Sequence, residues 1–299
     1  MKSNNEKGPL ISFWGTRGSV STPGRTTEKY GGNTPCVYFC YRDIKIIMDA
    51  GTGIRNLGLA LTERLEREAA PLSLHLFLSH THWDHIQGLP FFQPAYRKDV
   101  SLAIYGSPRK GRFLESILKD QMDYEYFPVA MSEFAANIRI HEISKEVLEL
   151  GPVIIEWQEQ IFHPGGSVRY RLNVNGKKIV YTTDVELDLI FFPETESDEN
   201  IKLRQDYLDF IARADFLIAD GQYTGEEYLS KRGWGHSSIP VLLDIAYMAG
   251  VKRIAVFHHD PQHSDKFLDE LWMQNRYKFQ SEEKKMELFW AREGMTLEV

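Results

Sequence analysis

Cysteine is scarce in this chain, with two residues, Cys36 and Cys40, among 299. They lie in the apolar run Cys36-Val37-Tyr38-Phe39-Cys40. Strand geometry puts such residues on one face about 13 Å apart, beyond the reach of a disulfide. They read as buried thiols, and a reducing cytoplasm is the expected compartment. Long apolar runs are also missing, and the N-terminal stretch Met1–Pro9 is polar, so neither a membrane span nor a signal region is expected. Basic charge is short as well: 35 Lys and Arg stand against 42 Asp and Glu, a net charge of −7. That disfavours a broad nucleic-acid surface. A local phosphate site stays open, because a metal can supply the positive charge. Low-complexity linkers, repeats and domain boundaries are lacking too, so residues 1–299 are expected to form a single domain able to bury a sizeable core.

Against these absences stands one dense stretch, His80-Thr81-His82-Trp83-Asp84-His85, with three imidazoles and one carboxylate in six residues. It follows Leu72-Ser73-Leu74-His75-Leu76-Phe77-Leu78-Ser79, where leucine alternates with other residues as in a strand with one face in a core. The cluster therefore falls in a loop at a strand's end. Neutral imidazole and carboxylate suit borderline metals such as zinc. A solvated polar loop is the plain alternative.

The same placement recurs along the chain. Strands are expected at Leu10–Trp14, Val37–Cys40, Ile44–Met48, Val100–Tyr105, Ile138–Ile143, Val153–Gln160 and Val168–Val174, and the last turns through Asn175-Gly176 into Lys178–Tyr181. Further strands fall at Phe216–Ala219, Val251–Phe257, Leu288–Ala291 and Met295–Val299. Helices are expected around Leu57–Leu61, over Phe113–Met122, Leu203–Ala214 and 264–285, and after Ser237 or Ser238 with Pro240 in the first turn and Gly250 at the end. His163, Asp184, Asp220 and His258 each sit just past or at a strand's end. Strand-rich halves that each end in helices suggest an α/β fold, an αββα sandwich: two mixed β-sheets face to face with helices on both outer faces. Loops at one edge of such a sandwich can converge on one site. The ligand-type residues suit two metals sharing one bridging group, able to hold a hydroxide nucleophile at neutral pH.

Several features carry two readings. Asp49, after Ile44–Met48, either braces the ligand loop or caps the next helix. The loop Gly15–Gly24 offers backbone N–H groups and Arg17 to an anion, or is a plain turn. The aromatic stretch Tyr124–Val129 lines the cleft or belongs to the core. His236 serves a substrate or is a capping or core histidine. His75, His141, His259 and His263 read as structural or surface groups.

The sequence His80-Thr-His82-Trp-Asp84-His85, followed in order by His163, Asp184 and His258, resembles the metallo-β-lactamase-fold hydrolases, over nearly the whole chain. The resemblance implies that His80, His82 and His163 bind a first divalent metal and Asp84, His85 and His258 a second, with Asp184 bridging. Zinc is the expected metal, with manganese or iron as alternatives. His258, three residues before Pro261, fits the last ligand position better than His259 does. No cysteine lies near a motif, unlike the lactamases themselves, which argues against antibiotic hydrolysis. Gly233-Trp234-Gly235-His236-Ser237-Ser238 resembles the Gly-His-Ser element of the ribonuclease Z and cyclic-nucleotide phosphodiesterase branch. Where ribonuclease Z carries a His-Glu pair, this chain has Ala219 and Asp220. Asp220 can still orient His236 as a carboxylate orients a catalytic imidazole. The missing histidine and the lack of a Gly/Pro-rich basic arm speak against tRNA processing. The implied activity is a metal-dependent phosphodiesterase acting on a cyclic nucleotide or similar small phosphodiester. His236 and Asp220 act beside the metals, and Asp84 is counted with the catalytic groups. A ribonuclease Z-like RNA endonuclease and a metal-centre sensor are the alternatives. Dimerisation, common in that branch, is carried as a further expectation.

Overall fold

Leucine alternation over Leu72–Phe77 does what period two requires. Leu72, Leu74 and Leu76 enter one core cluster, while Phe77 points the other way into a second. That strand belongs to a computed structural model describing residues 8–68, 70–108, 111–143, 147–279 and 286–299.

Strands are numbered in chain order, and those among the described residues form two seven-stranded sheets. The first runs β14 (Thr296–Glu298), β1 (Leu10–Gly15), β2 (Cys36–Tyr41), β3 (Ile44–Met48), β4 (Leu72–Phe77), β5 (Val100–Gly106) and β6 (Asn137–Glu142). The second runs β13 (Glu287–Trp290), β12 (Arg253–Phe257), β11 (Phe216–Asp220), β10 (Lys177–Thr182), β9 (Ser167–Val174), β8 (Val153–Gln160) and β7 (Leu148–Leu150). Both are mixed sheets. Pairing is antiparallel from β14 to β3 and parallel from β3 to β6. It is antiparallel from β7 to β10 and parallel from β10 to β13. The hairpin between β9 and β10 turns on Asn175 and Gly176, both at positive φ, as the Asn-Gly pair demands.

The helices are α1 (Gly53–Glu68), α2 (Trp83–Ile86), α3 (Leu114–Asp120), α4 (Leu187–Phe191), α5 (Asp198–Ile211), α6 (Gly225–Lys231), α7 (Ile239–Met248) and α8 (Asp265–Phe279). Three apolar layers hold the sandwich. Phe13, Phe39, Ile46, Tyr170, Ile218 and Phe257 fill the space between the sheets. Ile54, Leu57, Leu61 and Leu65 recur at helical spacing on α1 and pack it on the first sheet. Leu187, Tyr207, Leu242, Leu243 and Leu268 seat α4, α5, α7 and α8 on the second. Truncating one such side chain, Leu61→Ala for example, costs about 2–5 kcal/mol through lost burial and the cavity left behind.

The architecture is the expected sandwich, with shifted element ends. α1 begins four residues before the Leu57 expected to open it and continues to Glu68. α5 starts at Asp198, where Ser197 accepts a capping bond from the Asn200 N–H at 3.1 Å. α8 is described to Phe279, and residues 280–285 of the expected helix lie outside the described residues. Short α2, α4, α6 and β7 lack the length for a periodic signal. Because β3, β4, β8, β10, β11 and β12 point the same way within their sheets, their carboxyl ends emerge along one edge. Asp49, His80–His85, His163, Asp184, Asp220 and His258 follow or end those strands.

Candidate metal centre

The hexapeptide is divided between a loop and α2. His80 and His82 precede the helix, and Asp84 and His85 lie within it. His80, His82 and His163 each offer one ring nitrogen to a common point, and Asp84, His85, Asp184 and His258 do the same at a second, with ligand atoms in each group within 4.8 Å of one another. His163 Nε2 lies 3.0 Å from His82 Nδ1. His258 Nε2 and His85 Nε2 lie 3.2 and 3.3 Å from Asp84 Oδ2.

Asp184 stands between the groups. Its Oδ2 is 3.6 Å from His80 Nε2 and 3.7 Å from His163 Nε2, while its Oδ1 is 3.4 Å from both His85 Nε2 and His258 Nε2. One oxygen thus faces each group. Asp49, Asp184 and His258 all have positive φ, at 62°, 54° and 61°. Such left-handed backbone costs of order 1–3 kcal/mol per residue and clusters where function requires it.

The far side of four imidazoles, those of His80, His85, His163 and His258, is occupied. His163 Nδ1 donates to the Gly235 carbonyl at 3.0 Å, His85 Nδ1 to Asp49 Oδ2 at 2.8 Å and His258 Nδ1 to Gln222 Oε1 at 2.9 Å. Ser79 Oγ donates to Asp49 Oδ2 at 2.8 Å and so accepts from His80 Nδ1 at 3.0 Å. Each of these rings turns Nδ1 outward to a partner and directs Nε2 inward. His80 Nε2 and His85 Nε2 are buried without a hydrogen-bond partner, an arrangement that fits cations and costs free energy otherwise. Burial holds His80 well below the ordinary histidine range and brings His163 down to about 4. Burial would lower His85 too, but the carboxylates of Asp84, Asp184 and Asp49 outweigh it and raise it well above the usual value. A proton there answers the same acidic surplus that a divalent ion would answer.

The remaining predicted residues sit beside this centre. Asp220 ends β11, and its Oδ2 accepts from His236 Nδ1 at 2.8 Å. His236 lies 3.9 Å from Asp184 Oδ2 and stacks on His258 with ring centres 4.9 Å apart. Burial alone would lower the His236 pKa, but Asp220 and Asp184 raise it to about 9. Asp220, His236, Asp184 and His258 also form a compact group of their own.

Two open alternatives are closed by geometry. His258 enters the site, whereas His259 is buried with its Nε2 donating to the Ala291 carbonyl at 2.7 Å. Asp49 braces the ligand loop: it accepts from Ser79 N, Ser79 Oγ, His85 Nδ1 and Tyr181 Oη at 2.6–2.8 Å. Of the two readings of the Gly15–Gly24 loop, the structure does not favour an anion on Arg17. Its guanidinium is buried, Nε and Nη1 donate to the carbonyls of Gly31, Asp260 and His263, and Nη2 lies 3.8 Å from Asp265, tying loops together. Its loop serves the centre through backbone instead. Ser19 N–H donates to Asp84 Oδ2 at 2.8 Å, and a Cβ at Gly18 would stand 2.4 Å from His258 Nδ1. Ser238 begins α7 without capping it, since its hydroxyl donates to Asp188. Tyr124 and Tyr126 are exposed and form no part of the core.

Glu186 escaped the sequence reading. It is buried, and its carboxylate accepts from Gly233 N, Gly235 N and Tyr228 Oη at 2.7, 2.8 and 2.6 Å. It clamps the loop whose Gly235 carbonyl orients His163. Gly235 has φ 89°, and a Cβ there would meet His163 Nδ1 at 2.4 Å. The glycines Gly233 and Gly235 were the available signal. Gln222 was missed also, because an amide carries no motif.

A family model described as a beta-lactamase superfamily domain matches residues 45–259. The chain belongs to the β-lactamase superfamily. Among its relatives in that superfamily, ribonuclease Z of Pyrococcus horikoshii is 23% identical over 301 residues, covering 86% of this chain and 88% of that protein. Ribonuclease Z of Sulfurisphaera tokodaii is 22% identical over 273 residues, covering 83% and 88%. Unliganded yeast PDE1 superposes with a TM-score of 0.68 at 16% identity, over 98% of this chain and 100% of that one. The metallo-beta-lactamase fold protein YhfI of Bacillus subtilis gives 0.66 at 18% identity, with 98% and 100% covered. A diphosphatase from the PhnP family gives 0.63 at 16%, with 97% and 98% covered. At these identities the superpositions show a shared fold. As a β-lactamase superfamily member, the protein is a hydrolase with a His/Asp cluster compatible with a dinuclear metal site. Among the described residues no helix is long and apolar enough to cross a membrane.

Proposed function

We propose that the protein is a dinuclear-metal-dependent phosphodiesterase acting on a cyclic nucleotide or similar small phosphodiester. His80, His82 and His163 would hold one ion and Asp84, His85 and His258 the other, with Asp184 between them. Divalent ions bound there, zinc in first place and manganese or iron in second, supply Lewis acidity and acidify water. The observation that carries the reading is the 2.8 Å bond between Asp220 and His236 beside Asp184. Asp220 fixes the ring and holds the proton on Nδ1. Nε2 makes no hydrogen bond among the described residues, and with a pKa of about 9 the ring is cationic at neutral pH. It can hold a phosphate oxygen and deliver a proton to the departing alkoxide, a contribution of about 10²–10⁴ in rate. Two exposed indoles lie close in sequence to site residues, Trp83 between His82 and Asp84 and Trp234 two before His236, and Lys231 Nζ sits 4.0 Å from the Trp234 ring centre. They offer stacking to a base and a cation to a phosphate. The net charge of −7 favours a small substrate over a long polyanion.

The second reading is a ribonuclease Z-like RNA endonuclease, favoured by relatives of that name. We also read residues 1–299 as one domain working in the cytoplasm as a monomer or homodimer. The deciding measurement is metal analysis paired with a substrate panel. Two metal equivalents and preferential cleavage of a cyclic nucleotide and bis(p-nitrophenyl) phosphate are expected. Preferential cleavage of precursor tRNA would transfer the assignment to the second reading. Under one equivalent of metal, with no turnover after metal loading, would overturn both. A coloured, iron-bearing and inactive protein would indicate a sensor.

A further inference from the structure

A cavity of about 660 Å³ opens at the flank of the second sheet, where β8 runs past the end of β7. β7 pairs only with Val153–Ile155, which leaves the rest of β8 as an edge. The cavity is lined by the cations Arg169 and Lys202, the carboxylates Glu159 and Asp206, and Trp157 and Leu203 among others, and it shares no residue with the metal centre.

Arg169 is the unusual member. It is only 5% exposed. Its Nε and Nη2 both go to one acceptor, Gln158 Oε1, at 3.2 and 2.6 Å, and its guanidinium lies 5.2 Å from the ring centres of Tyr207 and Phe210. Among the described residues Nη1 has no hydrogen-bond partner and no carboxylate forms an ion pair with the guanidinium. The other arginines of the region differ. Arg171, next on the same face of β9, is held by both oxygens of Glu156 at 2.8 and 2.7 Å and by the Phe210 carbonyl. Arg17 donates to three carbonyls and lies 3.8 Å from Asp265. Burial lowers the Arg169 pKa to about 10, so the group remains a cation at neutral pH. Asp206, on the same cavity wall, favours the cation electrostatically without forming an ion pair with it, and a buried charge so incompletely balanced is costly. The group is arranged to meet an anion from outside.

We propose that this cavity is a second ligand site, separate from the metal centre, which binds a small organic anion through Arg169 and Lys202. The guanidinium plane suits a phosphate or carboxylate head. Leu203, Ile143 and Trp157 give an apolar wall, and the volume lies in the range of small-molecule sites, far larger than a bare phosphate fills. The ligand therefore carries an apolar or aromatic body as well as its anionic head.

The test uses the metal-loaded protein titrated calorimetrically with adenosine 5′-monophosphate, phenyl phosphate and inorganic phosphate. At least one organic phosphate is expected to bind beyond the stoichiometry of the metal centre. Arg169→Met should weaken that event at least tenfold while bis(p-nitrophenyl) phosphate turnover stays within twofold. Lys202→Ala, at an exposed helix position, should weaken it several-fold and keeps the test open if Arg169→Met fails to fold. Inorganic phosphate should bind at least tenfold more weakly. No binding outside the metal centre, binding indifferent to both substitutions, or equal affinity for inorganic phosphate would overturn the proposal.

Discussion

The two halves of the metal centre are built to different standards of enclosure. His80, His82 and His163 form the rim, where His82 is exposed. Asp84, His85, Asp184 and His258 form the floor, where every member is buried. The floor is braced from three directions: Asp49 on His85, Gln222 on His258 and the Ser19 amide on Asp84. In the rim, His163 is braced by the Gly235 carbonyl and His80 through Ser79, while His82 Nδ1 faces another ligand, His163. Burial strengthens electrostatics and makes every unpaired group expensive. The floor is thus the more rigidly held half, and the rim the half open to solvent.

The largest effect should come from the one residue that belongs to both halves. Asp184→Ala is expected to reduce bound metal from two equivalents to below one and turnover by more than about 10³-fold, given a metal centre's share of catalysis. Retention of both ions, measured by plasma mass spectrometry, would refute the bridging position. Next is His236→Ala, which stands off both halves. Metal content should be unchanged while phosphodiester turnover falls by about 10²–10⁴. Loss of metal would make it a ligand. Asp49→Ala should then separate floor from rim. It orphans His85 directly, and metal affinity of the floor is expected to fall by about 10–100-fold, more than that of the rim. Equal loss from both sites in a metal titration would erase the distinction.

The smallest effect concerns the neighbour of the floor ligand His258. His259 is held down to about 3 by burial, below the ordinary value of 6.5, so the folded protein keeps it neutral. The unfolded chain takes up the proton first on acidification. Its contribution is therefore complete above about pH 6.5 and is lost as pH falls toward 3, by up to about 1.4 kcal/mol per pH unit. His259→Gln should flatten the pH 7 to pH 5 drop in urea-unfolding stability by about 2 kcal/mol. An unchanged slope would mean that other groups carry it.

Much of this comparison was legible before folding. His80, His82, Asp84 and His85 announce themselves because imidazoles at that density after an alternating strand have few other uses. His163, Asp184, Asp220 and His258 are legible because each follows or ends an apolar strand. Glu186 and Gln222 were not, since their partners lie 42–49 and 36 residues away and only folding brings those groups within reach. The role of Arg17 was left open for the same reason: its acceptors include Asp260 and His263, at the other end of the chain. Helices α2, α4 and α6 are too short for a 3.6-residue period to stand out.

By itself, the sequence determined which residues could bind metal, because ligand chemistry belongs to side chains. It also determined the sandwich, because hydrophobic period selects strand or helix locally. Tertiary structure decided which nitrogen of each histidine faces inward, that Asp184 turns one oxygen to each group, and that His258 rather than His259 enters. It likewise decided that Arg17 donates to three backbone carbonyls while Arg169 faces a cavity. Those outcomes depend on hydrogen bonds between distant segments, and a buried polar group finds its partner only when the chain has closed around it.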